Sequence, residues 1–216
     1  MVVFFALILA GLVVIALCSI LCGLIVRELE HMSTIGPPDE RVDVWLAAHR
    51  TAVRTEASTV GSSVGGGIVL PIVAGAIAIV SAVYRKWRVA AFVVFAPAVE
   101  SATYRITTLI VPSHRPRVVR LEHLPVNASY PSGHTAAAVA VYGGLSLLLS
   151  SRSTNAAFRA LVWSIAFALV GFVAASRMYQ GMHHPLDIAG GLIVGVLALL
   201  VVTFACRTAS ATDAGR

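Results

Sequence analysis

Lysine occurs once in this chain, cysteine three times, and charged residues of every kind make up only 12% of its 216 positions. Each scarcity excludes something. Cys18 and Cys22 lie inside one apolar run and Cys206 ends another, so the cysteines offer neither a disulfide framework nor a thiolate metal site. The net charge of +6 is carried by 15 arginines and Lys86. It is divided among short segments and never forms the continuous basic stripe of a nucleic-acid binder, so no nucleic-acid partner is expected. There is no internal repeat and no low-complexity run.

What the chain does have is hydrocarbon: 58% of its residues are hydrophobic and its mean hydropathy is +0.87. Apolar runs at residues 2–26, 61–84, 89–111, 135–149, 156–175 and 185–206 predict six membrane-spanning helices, the fourth needing Gly133 and its neighbours to complete a crossing. The expected fold is all-α: a polytopic six-helix transmembrane bundle formed by one domain over residues 1–207. A short polar tail, 208–216, is expected to be disordered. The first run lacks a basic n-region and stays apolar for about 25 residues, so it reads as a retained helix and not as a signal peptide.

The loop Arg85-Lys86-Trp87-Arg88 is short and basic with an interfacial tryptophan, which marks it as cytoplasmic. Six crossings then put both termini on the cytoplasmic side and the loops around residues 27–60, Arg115 and Arg177 outside. The first outer loop has a turn-like Gly36-Pro37-Pro38-Asp39 followed by Val42, Val44, Trp45, Ala48 and Val53, a spacing that predicts a helix lying in the interface plane. The outer loops are rich in arginine, against the usual bias, and phosphate binding would give those arginines another role.

Polar chemistry is confined to the predicted ends of the crossings. Pro131 ends an extended segment, Ser132 can cap the fourth helix, and Gly133 lets a ligand approach the backbone. Free N–H groups and the positive end of the helix dipole make this start an anion site, with His134 beside it as a proton donor. Ser176 and Arg177 close the fifth helix, and Pro185 suits the first turn of the sixth. His183 and Asp187 are four residues apart, a spacing that lets the carboxylate hold one ring N–H and leave the other nitrogen free to attack. The adjacent His184 points elsewhere and is expected to bond locally. Glu100, in the third span, is expected to be a structural partner of Arg105 more than a proton relay. Asn127-Ala128-Ser129 fits a glycosylation acceptor pattern but reads as ordinary loop.

Three of these elements resemble, in order, the signatures of one family. Ser176-Arg177 through His183 to Asp187 is similar to the SRxxxxxHxxxD motif of the type-2 phosphatidic acid phosphatase superfamily, related to the vanadium haloperoxidases; Pro131 to His134 matches its PSGH, and Arg115-Pro116 the end of its KxxxxxxRP. The resemblance implies a membrane phosphatase in which His183 attacks phosphorus, Asp187 orients it, and His134 protonates the leaving oxygen. Arg115, Arg177, Ser132 and Gly133 would hold the phosphate, and neither metal nor cofactor would be needed. It also implies partners: a lipid phosphate substrate such as phosphatidate, phosphatidylglycerophosphate or a polyprenyl pyrophosphate, reached through the surrounding membrane lipids. The family lysine falls at Thr108, and Arg105, three residues earlier, is the expected substitute. A phosphotransferase, or an anion-binding membrane protein without catalysis, stays open on the sequence.

Overall fold

The computed structural model describes residues 1–31, 36–123, 125 and 127–214. Its helices are α1 (Val2–His31), α2 (Gly36–Ala48), α3 (Ala52–Val64), α4 (Val69–Val83), α5 (Trp87–Ile110), α6 (Gly133–Ala138), α7 (Gly144–Ser150), α8 (Ala156–Tyr179) and α9 (Pro185–Ala214), with a π-helical turn, Val139–Gly143, joining α6 to α7. Six stretches are long and apolar enough to cross a membrane: Val2–Glu30, Ala52–Val83, Trp87–Ile110, Gly133–Ser150, Ala156–Tyr179 and Pro185–Ala209. The described residues contain no strand, only an isolated bridge between Ser113 and Ala128.

The central crossing is α9, half of whose span is buried. It packs on α1, α5 and α6, and its small residues explain why it can. A Cβ at Gly191 would stand 2.5 Å from the Ser132 carbonyl oxygen, and one at Gly195 2.6 Å from that of Ala136, so only glycine lets α9 lie directly on the start of the fourth crossing. Ala198, Val202 and Ala205 continue this face into a core with Phe92, Val99, Ala136 and Val139. Phe4 meets Phe95 edge-on at 5.1 Å, fixing α1 against α5. The outward faces carry exposed Leu9, Val13, Ile79, Phe167 and Phe204, as lipid-facing surfaces should.

The structure departs from the expected layout in three places. Gly36 through Asp39 open α2 instead of forming a turn, and Pro38 fits a first helical turn, where no N–H is required. The second crossing starts at Ala52, nine residues early by sequence expectation, and is broken over Gly65 to Gly67. The Tyr142 hydroxyl donates to the Val64 carbonyl at 2.8 Å, satisfying an acceptor which that break releases. Finally, α9 runs past 208 to Ala214, and Gly215 and Arg216 of the expected tail lie outside the described residues.

Candidate active site

The segments following α5, preceding α6 and joining α8 to α9 meet at one end of the bundle. His183 sits on the α8–α9 connection, where Gly181 adopts φ +70, a left-handed conformation that reverses the chain. The buried His183 ring directs Nδ1 at the Ser129 carbonyl oxygen, 2.9 Å away, with Asp187 Oδ2 behind it at 3.7 Å. Both neighbours are acceptors, so Nδ1 carries the hydrogen and Nε2 keeps its lone pair. Burial pulls the His183 pKa down, with Asp187 opposing, which favours that neutral nucleophilic form at pH 7.

Asp187, in the first turn of α9, is the organising acceptor. Its Oδ2 receives the Ser129 hydroxyl at 2.5 Å and the His184 backbone N–H at 2.9 Å. Ser129 therefore bridges the carboxylate and the imidazole: its hydroxyl holds one and its carbonyl the other. This residue was hidden in the sequence within an apparent glycosylation pattern.

Arg177 is fully buried. Its Nη1 meets Ser62 Oγ at 2.5 Å, Glu122 Oε2 at 2.9 Å and Gln180 Oε1 at 3.1 Å, while Nε and Nη2 have no hydrogen-bond partner among the described residues. A buried cation with N–H groups left over is costly unless an anion visits them. Burial works to raise the Glu122 pKa, but the bonds from Arg177 and Ser62 outweigh it and hold the group below the usual carboxylate range. Neither Ser62 nor Glu122 carries a motif.

Arg115 is placed differently from a free phosphate fork. Its Nε donates to the Pro125 carbonyl at 2.8 Å, Nη2 to that of Ala128 at 2.9 Å, and Nη1 to that of Met182. The guanidinium thus clasps the connection before α6 to the one before α9, and a hydrogen on each terminal nitrogen is left over. Burial and the nearby Arg177 charge depress its pKa. Substituting lysine strands carbonyls that one ammonium cannot span. Arg115→Lys is expected to cost about 2 kcal/mol, seen as a fall in Tm of about 4–8 °C in a thermal melt.

Ser132 occupies the N-cap of α6 but makes no side-chain cap bond; its hydroxyl pairs with Thr135 Oγ1 at 3.0 Å and its N–H with the Asp187 carbonyl at 2.9 Å. Gly133 stands against the Tyr104 ring, where a Cβ would lie 3.1 Å from ring carbons. Beside it, His134 lies within electrostatic reach of Arg177, His183, Glu122 and Arg115. Arg115, Gly133, His134 and His183 line one cavity of about 440 Å³, which continues past Tyr104 to Ser101, Glu100, Pro97 and the broken helix at Gly65 to Gly67.

Arg105 is not brought to this group. Its side chain is exposed, and the cavity-lining face of α5 runs through Pro97, Ser101 and Tyr104, one residue out of phase with it. Nor does Glu100 pair with Arg105, since residues five apart lie on different faces; its described bond is from the Ser101 hydroxyl at 3.1 Å. Thr108 turns its hydroxyl to the Arg105 carbonyl at 3.1 Å. Thus α5 supplies no observed cation in place of the family lysine.

His184 reaches much further than expected. Its Nε2 lies 3.2 Å from Glu40 Oε2 and 3.9 Å from Asp43 Oδ2 on α2, and its Nδ1 lies 3.4 Å from Asp187. Burial alone would lower its pKa, but these carboxylates raise it to about 9. Burial pushes that of Asp43 up to about 7, against the pull of His184. An imidazolium bound this way contributes stability that is complete below about pH 6.5 and lost as pH rises through about 9. Thermal melts between pH 7.5 and 9.5, above the Asp43 window, should show a falling Tm in the wild type and a flatter profile in His184→Asn; parallel profiles would contradict the assignment.

Residues 89–210 match the PAP2 superfamily. Among curated proteins, the chain is 36% identical over 75 residues to undecaprenyl-diphosphatase of Sulfolobus acidocaldarius and 35% identical over 94 residues to human sphingosine-1-phosphate phosphatase 2. These matches take in 35% and 43% of this chain but only 32% and 23% of the relatives' lengths. A crystal structure of a transmembrane PAP2-type phosphatidylglycerolphosphate phosphatase from Bacillus subtilis superposes with a TM-score of 0.78 at 22% identity, covering 89% of this chain and 96% of that one. Aquifex aeolicus LpxE superposes with a TM-score of 0.60 at 21% identity, over 76% and 93% of the two chains.

Proposed function

Because this chain belongs to the PAP2 superfamily, we propose that it is an integral membrane lipid phosphatase, acting on a phosphomonoester or pyrophosphate through a phosphohistidine. The observation that carries the reading is the pairing of a buried Arg177, with unpartnered Nε and Nη2, with a His183 whose Nε2 is free. One group calls for an anion and the other for an electrophile. A phosphoryl group is both.

In the first step His183 Nε2 attacks phosphorus while His134 gives a proton to the departing oxygen, releasing the dephosphorylated lipid. In the second, His134 takes a proton from water as that water attacks the phosphohistidine, which restores His183 and releases phosphate. Arg177 and the spare N–H groups of Arg115 stabilise charge on the equatorial oxygens, with the backbone at Gly133 contributing at the helix start. Ser132 supports that start through Thr135. This positive charge is built into the protein, so the reaction is expected to proceed without a metal cofactor.

The membrane crossings support a lipid-borne substrate, since the cavity runs from the histidines into the span. The substrates named for the relatives suggest a panel of phosphatidylglycerophosphate, sphingosine 1-phosphate and a polyprenyl pyrophosphate, to which the motif resemblance adds phosphatidate. The basic 85–88 loop supports an extracytoplasmic site with cytoplasmic termini. Phosphate release by purified protein in detergent with EDTA tests the reaction. Brief exposure to 32P-labelled lipid should also leave acid-labile, alkali-stable label on the protein. Release that EDTA abolishes, or a label with the opposite stability, would contradict the mechanism.

A further inference from the structure

Glu100 is 1% exposed, within a crossing, and lines the same cavity as His134 and His183. Its Oε2 accepts from Ser101 at 3.1 Å; its Oε1 has no hydrogen bond among the described residues. A carboxyl kept for packing would be tied to a neighbouring helix, whereas this bond stays within α5. The carboxyl therefore holds an unused acceptor on the wall of the cavity.

Its depth is informative. Tyr104 lies against Gly133, level with the start of α6 and the catalytic histidines. Glu100 is one helical turn further into the span, about 6 Å along the axis. With the phosphate against Arg115 and His183 on the cavity wall, the part of a lipid reaching that depth is the backbone just beyond the phosphoester oxygen. Away from Arg115, His134 and His183, the cavity is lined by apolar Leu70, Pro71, Pro97, Ala98, Ala137 and Val141, and Glu100 is the one acidic side chain among the lining residues. A pure hydrocarbon at this level would remove water from Glu100 and return no hydrogen bond, an unfavourable exchange.

We propose that Glu100, seconded by Ser101, is a specificity-determining residue that takes a hydrogen-bond-donating hydroxyl on the lipid backbone close to the phosphoester. A carboxyl oxygen accepts from a hydroxyl whether or not it is ionised, so the recognition requires only the geometry. It selects lipids with a free backbone hydroxyl over fully acylated or isoprenoid chains. The inference rests on the lipid-phosphatase reading and narrows it.

The test compares 1-acyl-glycerol 3-phosphate, which has a free 2-hydroxyl, with its 2-deoxy analogue, identical otherwise. Wild type is expected to favour the hydroxylated lipid at least about tenfold in kcat/KM, a modest effect for a buried polar site. Glu100→Met, an apolar substitution of similar length, should bring that ratio to near one, and Glu100→Gln should retain part of it. Wild type that hydrolyses both lipids equally overturns the inference while leaving the phosphatase reading intact. So does Glu100→Met that slows both alike with the ratio preserved, the pattern of a purely structural residue. Phosphate release from neither lipid, nor from any member of the panel above, overturns both. If Glu100→Met fails to fold, the wild-type ratio and the Glu100→Gln ratio still decide the question.

Discussion

His183→Ala is expected to lower kcat for lipid phosphate hydrolysis by at least about 1,000-fold and to abolish acid-labile phosphate labelling of the protein. The size follows from what is lost. Arg177, Arg115 and His134, the proposed phosphate and leaving-group contacts, remain, but the ring nitrogen that Ser129 and Asp187 orient as nucleophile is gone. The fold should survive, because the described hydrogen bond of the His183 ring is a single one to the Ser129 carbonyl. His134→Ala is expected to behave differently: a loss of about 100-fold or more on an alkyl phosphomonoester, much less on p-nitrophenyl phosphate, whose leaving group departs without a proton. Equal losses on both would mean that His134 does not act as the acid, and undiminished turnover in His183→Ala would remove the phosphohistidine altogether.

The crossings were legible because hydropathy within a span is a one-dimensional property, and all six fall where the runs predict, give or take their ends. The early start at Ala52 was not legible: α3 is polar, with Thr55, Ser58, Ser62 and Ser63, and its buried side turns to protein instead of lipid. Ser58 and Ser62 meet α8 and the α8–α9 connection through Gln180 and Arg177. The motif residues lie on or beside helix ends at one end of the bundle: Arg115 and His183 on connections, Arg177 in the last turn of α8, and Ser132, His134 and Asp187 at the starts of α6 and α9. Their supports do not follow from spacing. Ser129, Glu122, Glu40 and Asp43 come from connections or from the first loop, far from their partners in sequence; α2 carries Glu40 and Asp43 to His184, and Ser62 of α3 meets Glu122 beside Arg177. Helical phase also corrects the substitution proposed for the missing lysine. Proximity in sequence favours Arg105, but one residue on an α-helix is 100° of rotation, enough to turn it away from the Tyr104 face.

Asp187→Asn should lower kcat by up to about 10,000-fold while leaving the helices in place, the size of loss seen when a triad histidine loses its orienting carboxylate. The geometry gives a reason beyond lost charge. Asp187 Oδ2 faces donors throughout: the Ser129 hydroxyl, the His184 backbone N–H and the nearby ring nitrogens of His183 and His184. An amide nitrogen at that position would confront those hydrogens; flipping the amide restores one acceptor but without the charge that opposes the burial of His183. Ser129 would then turn, and with it the carbonyl that fixes Nδ1–H of the nucleophile. The coupling can be separated from a general disturbance of the site by a double-mutant cycle with Ser129→Ala. If Ser129 transmits the effect, the second substitution should add little to Asp187→Asn, whereas additive losses would show that the carboxylate acts on His183 directly across its 3.7 Å separation. KM is expected to change far less than kcat in either case, because the groups proposed to hold phosphate, Arg177 foremost, make no described bond to Asp187.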